Sequence, residues 1–121
     1  MITIAAEKHH RDALLSALGD RTRADIVEML AERPRTATEI HRAFRIAAPA
    51  VSRHLRVLRE AGLVEERHPP EDRRVRLYAL RPDALAELGA WLDELRGGWQ
   101  RQLESFKGFV ALRAERPGGA R

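Results

Sequence analysis

The hydrophobic period of this chain changes twice, and those changes limit its fold more than any other feature. Between residues 12 and 61 apolar side chains recur at helical steps of three and four. Across Leu63–Leu80 they alternate, and from Pro82 onward the helical step returns. Helices, one hairpin and a further long helix in that order predict a mainly α fold with a small β-hairpin. A chain of 121 residues suits one compact globule, with enough length to bury a core unaided by disulfides.

Local signals divide the helical part. Leu14, Leu15 and Leu18 form a first cluster. Gly19-Asp20 then supplies a stop and an N-cap for a helix over residues 21–32, with Ile26, Val27 and Leu30 inward and Pro34 just beyond. Thr36-Ala37-Thr38-Glu39 matches a capping box, in which hydroxyl and carboxylate each satisfy a free backbone N–H, and opens a third helix over 37–43. Residues 44–47 suffice only for a turn. Pro49 suits the first turn of a fourth helix, Ala48 to Ala61, which Gly62 closes. In the hairpin, Leu63-Val64 opens one strand and Val75, Leu77 and Ala79 alternate in the other. Pro69 and Pro70 cannot donate ladder bonds, so pairing should end near His68 and resume near Arg73 or Arg74.

Composition excludes several chemistries. There is no cysteine, which removes thiol catalysis, thiolate metal ligation and disulfides. No glycine-rich phosphate loop or HExxH pair is present, and Ser52 and His54 diverge by about 200° on a helix, so no catalytic residue is expected. No long apolar run and no leader of the secretory kind stands near Met1, and the expectation is a soluble, cytoplasmic protein without a membrane partner. The formal charge is +4, and its largest excess falls on residues 36–80, with nine basic against six acidic side chains. A solvated basic surface and a surface facing a polyanion both fit that excess.

The fourth helix carries the sharper signal. At 100° per residue Val51, Leu55 and Leu58 share an inward sector, while Pro49, Ser52, Arg53 and Arg56 lie opposite. A small, polar, cationic face suits a DNA major groove: small residues allow close approach, and arginine can grip guanine O6 and N7 with two bonds. Capping-box helix, short turn, proline-started helix, glycine stop and basic hairpin occur in the order of a winged helix-turn-helix.

The stretches "LLSALGDRTRADIVEML", "PAVSRHLRVLREAGLV" and "RRVRLYAL" resemble the ArsR/SmtB family of winged-helix transcriptional regulators over about residues 14–95. The resemblance implies a homodimeric repressor of double-stranded DNA, with Ala48 and Pro49 opening the groove helix and Ser52, Arg53, His54 and Arg56 at recognition positions. It places Arg73, Arg74 and Arg76 on the wing, and Thr36 and Thr38 where a helix start holds phosphate. Two departures stand out. Ala47 occupies a position where the family usually has a capping serine, and Glu71 and Asp72 put negative charge near the wing tip.

A winged helix-turn-helix domain over 1–81, a dimerisation helix or helix pair over 82–114 and a flexible tail over 115–121 are expected. Leu85, Leu88, Trp91, Leu92, Leu95, Trp99, Leu103, Phe106 and Val110 would form the dimer interface, with Gly97-Gly98 marking a kink or a close helix crossing. The last helix has carboxylates but no histidine, and the adjacent His9 and His10 point about 100° apart, so neither metal nor cofactor is expected. Two alternatives stay open: a winged-helix module that binds an acidic protein, and a regulator whose Leu/Trp/Phe stripe lines a site for an unidentified small-molecule effector.

Overall fold

The computed structural model describes residues 4–115, with side chains from 10 to 114. Five helices and three short strands follow one another as α1 (Ile4–Leu18), α2 (Arg21–Glu32), β1 (Arg35–Thr36), α3 (Ala37–Phe44), α4 (Ala48–Glu60), β2 (Val64–Arg67), β3 (Leu77–Leu80) and α5 (Pro82–Glu115). The architecture is a mainly helical winged helix-turn-helix with a small antiparallel sheet and a long C-terminal helix.

The local signals act at the expected places. Asp20 caps α2 by accepting the Arg23 N–H at 3.0 Å. At α3 the capping box is reciprocal, with Glu39 N–H donating to Thr36 Oγ1 and Thr36 N–H donating to Glu39 Oε1, both at 3.1 Å. Gly62, at φ 83°, lets the chain leave α4. Its N–H donates to the Arg59 carbonyl and the Leu63 N–H to the Leu58 carbonyl, both at 3.0 Å, which satisfies carbonyls at the helix end. At the start of α4, Ala47 has the extended backbone of a cap but provides no side-chain bond.

Leu14, Ile26, Ile40, Leu58 and Leu63 are fully buried and join α1 to α4 and the sheet into one core, to which Ala84 and Leu88 of α5 also belong. No polar side chain among the described residues is buried with them. Leu15, expected alongside Leu14, is exposed.

The structure departs from expectation at several elements. Helix α1 begins at Ile4, well before the first apolar cluster, because Ala, Glu and Lys favour helix without producing a periodic pattern. A strand appears at β1, paired antiparallel with β3 through Arg35–Tyr78 and Thr36–Leu77, so that the sheet runs β1-β3-β2. The hairpin ladder closes at Arg67–Leu77, leaving residues 68–76 as the wing loop and placing Arg73, Arg74 and Arg76 on it. Gly97 and Gly98 do not break α5, which is helical through both. Compact units divide between Leu88 and Gly89 rather than at residue 81, since the first two turns of α5 pack into the core. Of the expected 115–121 tail, Glu115 ends α5 and 116–121 lie outside the described residues.

Candidate nucleic-acid interface

Helix α4 is held by its inner face. Val51, Leu55 and Leu58 are buried against Ile40 and the rest of the core, which turns Ala48, Pro49, Ser52, Arg53 and Arg56 outward, all of them exposed. Neither Arg53 nor Arg56 has an ion-pair or hydrogen-bond partner among the described residues, so no carboxylate of that part of the chain takes their charge. Thr38, Ala48 and Ser52 come together at the crossing of α3 and α4, where with Ala37, His41 and Val51 they line a recess of about 130 Å³.

Two sequence-predicted positions face elsewhere. His54 is half-buried and lies against the start of α2, with Nδ1 3.5 Å from Arg23 Nη1 and 3.9 Å from Asp20 Oδ2. It therefore braces α4 on α2 and does not stand on the outer face. The hydroxyl of Thr36 is occupied by the capping box, beside a Glu39 carboxylate that also accepts from Arg33 Nη2 at 3.0 Å. The Thr36 N–H and the Arg33 guanidinium hold the Glu39 carboxyl below its usual range. Of the pair at the start of α3, Thr38 alone presents a free exposed side chain.

On the wing loop, Arg73 and Arg74 are exposed. Arg74 pairs with Asp72 at 3.1 Å and its guanidinium holds that carboxyl down, so half of the acidic charge near the tip is already countered. His68 Nδ1 lies 3.0 Å from the Arg73 carbonyl and 3.1 Å from that of Val75. Carbonyl oxygens only accept, so Nδ1 carries the proton and donates across the loop. Arg76 lies 3.7 Å from Glu66, and its hydrogen bond to Tyr78, reinforced by the Glu66 charge, keeps it more firmly protonated than a free arginine. Arg59, the third arginine of α4, sends its guanidinium to Glu66 of β2, a partner that only the fold brings alongside.

Along α5, Leu92, Leu95, Trp99, Phe106 and Val110 are exposed, as are Phe109 and Leu112 outside the expected set. Trp91 and Leu103 are half-buried and Leu85 is 38% exposed. Leu88 differs: at 7% exposure it is a core residue of its own chain and is not available to an interface. Trp99, Gln102, Leu103 and Phe106 shape an open concavity of about 350 Å³. His10 Nε2 lies 3.0 Å from Glu87 on α5, and the His9 side chain falls outside the described residues. No cluster of three or more metal-ligating side chains occurs among the described residues.

Residues 20–66, from the cap of α2 into β2, match the family described as bacterial regulatory protein, arsR family. The chain is also 43% identical over 99 residues to the HTH-type transcriptional regulator Rv2034 of Mycobacterium tuberculosis, covering 82% of this chain and 87% of that protein. It belongs to the ArsR family. The fold agrees: a crystal structure of an ArsR family transcriptional regulator superposes with a TM-score of 0.66 at 26% identity, over 75% of this chain and 97% of that one. A possible transcriptional regulator for arsenical resistance superposes at 0.58 with 37% identity, over 69% and 83% respectively. This ArsR protein is a DNA-binding transcriptional regulator and not an enzyme. Among the described residues no helix is long and apolar enough to cross a membrane.

Proposed function

We propose that this regulator is a homodimeric repressor that occupies a palindromic operator, with α4 of each copy in a major groove and half-site centres about one helical turn apart. The observation that carries this reading is the outer face of α4, where Ser52 and two arginines without a carboxylate partner among the described residues stand on a helix whose other side is locked into the core. An arginine not engaged by the protein can offer both donors to a guanine edge. The exposed apolar residues of α5, from Leu92 to Val110, are the surface through which two copies would associate. Bound at a promoter, such a dimer would exclude polymerase by occupancy.

Mobility-shift titration against the DNA upstream of the protein's own coding sequence tests this, with a scrambled duplex as competitor. Binding should weaken by orders of magnitude between about 50 and 200 mM salt as condensed counterions are released. Arg53→Ala and Arg56→Ala should each cost roughly tenfold or more in operator affinity, with smaller losses on the scrambled duplex. Equal retention of both duplexes, or binding indifferent to salt, defeats the reading. Capture of an acidic protein in place of DNA would defeat it too.

A further inference from the structure

The wing and the recognition helix meet at a single carboxylate. Glu66, third residue of β2, accepts from Arg59 Nη1 in the last turn of α4 through Oε1. Its other oxygen, Oε2, lies 3.7 Å from Arg76 Nε and 3.8 Å from His68 Nε2, both at the ends of the wing loop. Each oxygen thus serves a different element, one the helix and the other the hairpin. The side chain of Glu66 is 22% exposed, against 41% for Arg59 and 60% for Arg76, so the anion sits beneath the cations it holds. Tyr78, buried, is the ladder partner of Glu66 on β3. With two guanidiniums sharing one carboxylate, the cluster keeps a net positive charge even with His68 neutral.

We propose that Glu66 is a positioning residue for operator recognition: it fixes the separation of helix and wing, so that Arg59 and Arg76 grip the DNA backbone in the one register that seats α4 on its base pairs. This rests on the DNA reading given above. Coulomb's law makes the idea sharp, because a carboxylate beside a line of phosphates opposes binding. If charge were its whole contribution, removing that charge while keeping the shape would tighten binding to every duplex. If Glu66 positions the arginines, the same change loosens binding to the operator while a scrambled duplex binds as before or more tightly.

The experiment uses the full chain and its Glu66→Gln variant. Each is titrated by fluorescence anisotropy against a duplex selected by the wild type from a random pool and against a scrambled version. The expected result is a fall of roughly tenfold in the ratio of operator to scrambled affinity, the size of one mismatched base pair, with an unchanged thermal midpoint. An Arg59→Gln, Arg76→Gln double variant supplies a second measurement. Adding Glu66→Gln to it should produce no further fall in the ratio, since the groups it positions are gone. Operator binding by Glu66→Gln as tight as the wild type, or the same loss in the double-variant background, overturns this positioning role and leaves the DNA reading standing. A wild type from which no preferred duplex can be selected overturns both.

Discussion

Thr36 and Glu39 show how much one pair of side chains settles at the residue scale. Each satisfies a backbone N–H of the other at the start of α3. Thr36→Ala should therefore cost about 1 kcal/mol, read from urea unfolding. Because the Glu39 carboxyl is held below its usual range, folding favours the ionised form. Its contribution is complete above the usual carboxylate pKa, about 4, and disappears as pH falls through the lowered folded value. The stability gap between the wild type and Glu39→Gln should accordingly be widest near neutrality and close in acid, as unfolding at a series of pH values would show. This pair was legible in the sequence because its members are three residues apart and bond locally. His54 was not. Its neighbours Asp20 and Arg23 lie more than thirty residues away, and only the packing of α4 on α2 decides that the imidazole turns toward them.

Elements were legible where proline, glycine or a cap marks an end, as at Pro49 and Gly62, and illegible where they are too short to carry a period. Two residues of β1 cannot alternate visibly, so that strand had no signature. Val75 and Leu77 alternate with Arg74 and Arg76, yet the ladder ends at Leu77, because pairing depends on the neighbouring strand β2 and not on alternation alone. Two substitutions follow from element ends and interiors. Ala47 already has cap geometry without a cap bond, so Ala47→Ser should stabilise α4 by roughly 1 kcal/mol in urea unfolding. In α5, a Cβ at Gly97 or Gly98 would touch only the movable Arg101 guanidinium, at 3.4 and 3.7 Å. By helical spacing both glycines fall off the apolar stripe, so Gly97→Ala and Gly98→Ala should each raise stability by up to about 1 kcal/mol, measured by thermal unfolding.

For the whole molecule, the dimer proposed above turns on the exposed part of α5. Trp99→Glu should shift the protein toward monomer in sedimentation and weaken operator binding more than tenfold, while circular dichroism keeps its helical signal. The stripe itself was legible, since its step is unbroken from Leu85 to Val110. Where it stops being core was not: Leu88 and Leu92 have the same spacing and chemistry, and only the extent of the globular unit separates them. A smaller feature joins the pieces of that unit. Thr36 is both a rung of the sheet, opposite Leu77, and the cap of α3. On the DNA reading proposed above, a duplex that displaced the hairpin would pull, through that one rung, on the first turn of the helix-turn-helix.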